Sequence, residues 1–113
     1  MKSFTDLEQS KRLAEILPLE SADMFWLVLG NTPRVHVLTE PLSNYSQWES
    51  YPCWSLAALM GVLPKIVNTQ TLFIETSAAL WHIGYRDVYI ARSENLVDAC
   101  YEMILKLHKL KLL

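Results

Sequence analysis

Apolar and polar positions alternate in three different rhythms along this chain, and each rhythm predicts a different element. Thr5-Asp6-Leu7-Glu8 has the form of a capping box, in which a hydroxyl accepts from a backbone amide three residues on and the acid reaches back. The helix it opens is predicted to run to about Leu17, with Leu13, Ile16 and Leu17 on its apolar edge and Pro18 as its stop. Met24 to Leu29 is a continuous apolar run between turn signals and reads as a buried strand. Arg34 to Thr39 then alternates, Val35 and Val37 against Arg34 and His36, as a half-exposed strand does, with Gly30 to Pro33 as the hairpin between them. Residues 40–51 are polar and irregular. Pro52 to Pro64 reads as a short apolar helix.

Strand patterning returns at Thr71 to Glu75 and at Ala79 to Tyr85, where Trp81, Ile83 and Tyr85 share a face. Val88 to Ala91 fits either a further short strand or a continuation past a bulge at Gly84. Ser93 is the expected cap of a last helix with a core stripe of Leu96, Cys100, Met103, Ile104 and Leu107, flanked by Val97, Tyr101 and Leu105. Asp98, Glu102, Lys106 and Lys109 mark its wet side. Together these elements predict an α+β fold in the order α-β-β-α-β-β-α: an antiparallel sheet of about four strands, about three helices largely on one face, and the last helix at the centre of the core.

Composition narrows the class. The 113 residues, 13.0 kDa, suit a single compact domain over the whole of 1–113. The 51% hydrophobic and 19% charged shares leave apolar surface in need of cover, which favours a protein partner or a homo-oligomer. A net charge of −2 supplies no positive field for phosphate backbones, so nucleic acid is disfavoured as a partner. The first ten residues lack a secretory apolar region and no apolar run nears the ~20 residues that span a bilayer. A cytoplasmic location without membrane association is therefore expected, with Cys53 and Cys100 reduced and acting as small hydrophobes.

Three groups of residues invite a functional reading. Tyr45, Trp48, Tyr51 and Trp54 place a ring at every third position, a spacing that on a helix or turn would give a stacking surface for bases or peptides. Aromatics that simply bury area would look the same, and no Lys or Arg lies between Pro41 and Pro64 to serve a nucleic acid. Cys53 could act as a thiol nucleophile with His36 or His82 as base and Asp23 or Asp87 as orienter, although no Gly-rich turn beside it offers an oxyanion hole. Lys106 to Lys111 is basic and leucine-rich, fitting either dipole complementarity or a docking surface. His36, His82 and His108 are isolated and the three glycines stand alone, so no metal, cofactor or phosphate loop is expected.

The order Ser21 to Met24, Pro52 to Pro64, a strand pair, and then Asn95 to His108 resembles a family of small proteins of prophages and mobile elements in gut bacteria. These are packing motifs and bring no functional residues with them. The resemblance implies an intracellular accessory protein that acts by binding. The leading expectation is thus a non-enzymatic protein that binds other proteins. A nucleic-acid-binding accessory is the alternative, and a thiol-dependent enzyme at Cys53 comes third.

Overall fold

The computed structural model describes residues 2–37, 48–86 and 89–113. Its elements are α1 (Leu7–Ala14), a 3-10 turn (Leu19–Ser21), β1 (Met24–Leu29), β2 (Thr32–Val37), β3 (Glu49–Cys53), α2 (Leu56–Val62), β4 (Ile66–Val67), β5 (Gln70–Ser77), β6 (Leu80–Tyr85), β7 (Tyr89–Ser93) and α3 (Leu96–Lys109). The fold is α+β, with antiparallel pairing throughout: a four-stranded sheet ordered β4-β5-β6-β7 and a three-stranded sheet ordered β2-β1-β3.

The capping box exists, one residue later than expected. Asp6 accepts from the Gln9 amide at 2.8 Å and Gln9 Oε1 accepts from the Asp6 amide at 3.1 Å. Thr5 is unavailable as a cap because it is fully buried, its Oγ1 2.7 Å from Ser10 Oγ and accepting from the Trp54 amide at 3.2 Å. The chain just before α1 pairs with the start of α2: the Thr5 amide donates to Trp54 O at 2.9 Å and the Leu56 amide to Ser3 O at 3.0 Å.

β1 lies between β2 and β3, as a continuous apolar run requires, and Phe25 is almost wholly buried. The hairpin to β2 needs only Gly30 and Asn31, with Gly30 at φ 63 in the position where a tight β-turn wants a glycine. Pro33, expected in the turn, instead sits in β2 opposite Val28, where an edge strand tolerates its missing amide.

The helix expected from Pro52 starts four residues later, at Leu56. Pro52 and Cys53 end β3, paired with Phe25 and Met24, and Ser55 caps α2 by accepting from the Ala58 amide at 3.2 Å. Asp23, at the entrance to β1, receives both the Ser55 amide and the Ser55 hydroxyl, so the carboxylate fixes the start of α2 against the first sheet.

In the second sheet Ile83 and Tyr85 of β6 and Ala91 of β7 form the row under α3, which packs on β6 and β7 and against α2. β7 is a separate antiparallel strand. Gly84 acts by absence of a side chain: a Cβ there would lie 2.1 Å from the Tyr89 carbonyl oxygen, so only glycine lets β7 come this close. Two hairpins, at Asn68-Thr69 and Ala78-Ala79, turn through left-handed residues with no glycine in either (φ 49, 68, 52 and 63).

α3 is capped by Asn95, whose side chain accepts from the Asp98 amide at 2.8 Å, not by Ser93. The expected stripe of Cys100, Met103, Ile104 and Leu107 is buried, joined by Val97 and Ala99, while Leu96 is half-buried. The helix ends with Lys111 at φ 60 while the Leu112 amide donates to Leu107 O at 2.9 Å, a left-handed C-terminal cap.

Candidate interaction groove

Beside α3, the outer edge of β7 faces a groove of about 550 Å³. Four successive residues, Ile90 to Ser93, form one side, Asp98, Glu102 and Lys106 of α3 the other, and Gln9 of α1 reaches in beside Asp98. The sequence makes this geometry directly. Only Glu94 and Asn95 separate β7 from α3, so the helix runs back along the strand it follows, and its wet side, at i, i+4 and i+8, comes to lie along the strand's edge.

The backbone of β7 determines what that edge offers. In an antiparallel ladder each residue sends both its N–H and its C=O to one side, and the side alternates. The Ile90 carbonyl accepts from Lys106 Nζ at 3.4 Å, outside the sheet, and the tight approach of Gly84 to Ile90 is that of a non-hydrogen-bonded pair. Tyr89, Ala91 and Ser93 therefore bond to β6, while Ile90 and Arg92 turn their backbone groups into the groove. Among the described residues, the Lys106 amine is the one group bonded to that edge. The Ile90 side chain is 38% exposed on the outer face of the sheet, next to Arg92, whose Nε donates to His82 Nδ1 at 3.3 Å.

Asp98 closes one end. Its carboxylate accepts from Lys2 Nζ, Gln9 Nε2 and Asn95 Nδ2, each at 2.7 Å. Partial burial alone would raise its pKa, but these three donors outweigh it and hold the carboxyl below the usual carboxylate range. One side chain thus joins the N-terminal segment, α1 and the first turn of α3. Glu102 and Lys106 project into the groove without that degree of engagement, one negative and one positive, a helical turn apart.

The residues singled out from sequence lie elsewhere. Tyr45 lies outside the described residues. Trp48 is 45% exposed, just before β3. Tyr51 lies within β3, half-buried, with Lys11 Nζ 5.0 Å from its ring centre. Trp54 is fully buried, its Nε1 donating to Ser21 Oγ at 2.9 Å. A spacing of three aligns rings on a helix, but on extended chain it sends them to alternate sides. Tyr51 faces α1 while Trp54 enters the core, so the two present no common face.

Cys53 is fully buried at the end of a strand instead of at a helix N-terminus. Burial pushes its thiol up; hydrogen bonds from Thr5, Ser10 and Trp26 offset this only in part, and the nearby Asp23 charge adds to the rise. His36 stacks on Phe25 at 5.3 Å, and Phe25 and Met24 place their cross-strand neighbours His36 and Cys53 on opposite faces of the sheet. His82 belongs to the other sheet, Asp23 is engaged by Ser55, and Asp87 lies outside the described residues. Cys100 is core, its thiol pushed up to about 12 by burial and 3.8 Å from Met60 Sδ. Both cysteines are free. Of the basic tail, Lys106 alone joins the groove.

Sequence reasoning placed Asp98, Glu102 and Lys106 on the wet side of the last helix, with Lys106 also opening the basic, leucine-rich tail, and gave Ile90 and Arg92 no functional role. The signal was that the last helix, which carries this wet stripe, begins with only two residues between it and a strand. Among the described residues no helix is long and apolar enough to cross a membrane, and no three His, Cys, Asp or Glu side chains gather as a metal site. Comparison of the chain with protein-family models, curated proteins and solved structures finds no match.

Proposed function

We propose that the protein acts by binding proteins, taking an extended segment as an added strand along β7. The observation that carries this reading is the pair of outward-facing backbone residues, Ile90 and Arg92, set opposite the polar side of α3 in an open groove. Strand addition draws its affinity from such main-chain groups and its specificity from the side chains that flank them. The low charge fraction of the chain supports a binding role in preference to a catalytic one. The resemblance carried by Pro52–Pro64 and Asn95–His108 supports an accessory role of this kind in a mobile element, and two reduced cysteines are consistent with a cytoplasmic setting. The burial of Trp54 takes a ring away from the nucleic-acid alternative.

The test is selection of random displayed peptides on the wild-type protein, followed by affinity measurement on Arg92→Pro. That substitution removes an outward N–H and leaves every backbone bond from β7 to β6 in place, losing besides only the exposed Arg92 side chain and its bond to His82. Selected peptides should bind the variant about tenfold more weakly or worse, the loss expected when strand addition forfeits main-chain bonds. Failure to select any peptide, or equal affinity for both proteins, overturns the reading.

A further inference from the structure

Resting on this reading of the β7 groove, we infer that its occupant is a second copy of the same chain, joined edge to edge through β7 in an antiparallel two-fold pair centred on Ala91. The backbone permits it. With Ala91 at the axis, Ile90 stands opposite the partner's Arg92 and Arg92 opposite the partner's Ile90, so the four groups each copy turns outward meet their complements. Ala91 itself faces the partner's Ala91 on the α3 side, where a small side chain is needed because strands approach most closely at such a pair.

The helices fit the same axis. α3 packs on both β6 and β7, so it lies about half a strand spacing inside the edge. With strands ~4.8 Å apart, the two copies of α3 come to lie about 10 Å from each other, the upper end of ordinary helix packing. Charge then selects the partner. Lys106 stands over Ile90, and Glu102 lies about 6 Å back along the helix toward the Arg92 end. The two-fold therefore brings Glu102 against the partner's Lys106 and Lys106 against the partner's Glu102. The Lys106 amine, released from the Ile90 carbonyl when the partner's Arg92 amide takes that acceptor, becomes free to make the pair. A patch that is complementary to itself under one rotation is what an isologous dimer requires.

Sedimentation velocity over micromolar to submillimolar concentrations tests the pairing with the wild type, Glu102→Lys, Lys106→Glu and an equimolar mixture of the two variants, each shown to be folded by circular dichroism. The wild type should dimerise. Each variant alone, with like charges facing, should associate about tenfold more weakly or worse, and the mixture should recover wild-type association by forming heterodimers. A wild-type protein that stays monomeric throughout overturns the inference and leaves the peptide selection to stand or fall by itself. A wild-type dimer that both single variants form equally well, with no gain on mixing, also overturns it by placing the contact on another surface.

Discussion

Replacing Ala79 by glycine should stabilise the protein, and the same replacement at Ala57 should destabilise it. Ala78 and Ala79 form the two-residue turn between β5 and β6, both in left-handed backbone (φ 52 and 63), the conformation that two-residue hairpins normally assign to Asn and Gly. A Cβ in that region costs roughly 1–2 kcal/mol, and glycine removes this cost while gaining about 0.4–1 kcal/mol of unfolded-state freedom. The net expectation for Ala79→Gly is about 0.5–1 kcal/mol of added stability, and adding Ala78→Asn should extend it. Ala57 lies exposed in the first turn of α2, where glycine costs backbone entropy of up to about 1 kcal/mol relative to alanine. Urea unfolding followed by the fluorescence of the four tryptophans measures both variants with one probe. The midpoints should move in opposite directions with an unchanged slope, and melting temperatures should follow by roughly 3–5 °C per kcal/mol. Movement in the same direction at both sites would refute the backbone argument, because the side-chain change is identical.

Gly84→Ala should cost roughly 2–4 kcal/mol, since the new methyl must displace the Tyr89 carbonyl 2.1 Å away; thermal melts within half a degree of wild type would contradict the close approach of β7. Met103→Ala and Leu107→Ala, both at fully buried positions on α3, should each lose about 2–5 kcal/mol in the same urea assay, and losses under about 0.5 kcal/mol would show that the helix is not central to the core. The lowered pKa of Asp98 means that its contribution is present above the ordinary carboxylate pKa and is lost as pH falls through the lower folded value. Wild-type stability should therefore fall more steeply than that of Asp98→Asn below about pH 4, and parallel curves would dismiss the three-donor clasp. Cys53, buried and with a raised thiol pKa, should react with iodoacetamide far more slowly than a model thiol at neutral pH; reaction at the model rate would show that the site opens readily.

What could be read from sequence follows from how local the deciding interaction is. The runs Met24–Leu29 and Leu80–Tyr85 and the stripe on α3 are visible because burial imposes its period on adjacent residues. The helix starts lie a residue or more from where the sequence puts them, and for the first two helices the reason lies far along the chain. Thr5 is withdrawn by Trp54 and Ser10, Ser55 is fixed by Asp23, and Asn95 is chosen by Asp98. β3 was missed because Pro52 and Cys53 resemble the approach to a helix until their pairing with Phe25 and Met24 is known. The groove was hidden for a similar reason. Its backbone groups leave no trace in side-chain identity, and only the register of β6 with β7 shows which of them point outward.

The clasp at Asp98 also sets the order in which the chain can be completed. Lys2 and Asp98 are 96 positions apart, and the strand-like pairing of Ser3 and Thr5 waits for Trp54 and Leu56. During synthesis Lys2, Ser3 and Thr5 thus emerge long before the residues they pair with. The β5-β6-β7 hairpins and α3, whose contacts are close in sequence, can assemble as a unit while the N-terminal segment is still unattached. Until that segment docks, the buried hydroxyls of Thr5 and Ser10 and the thiol of Cys53 lack their shared enclosure. The slow step of folding should then be closure of the N-terminus over β3, and the partly folded chain that precedes it is the form most open to misassociation.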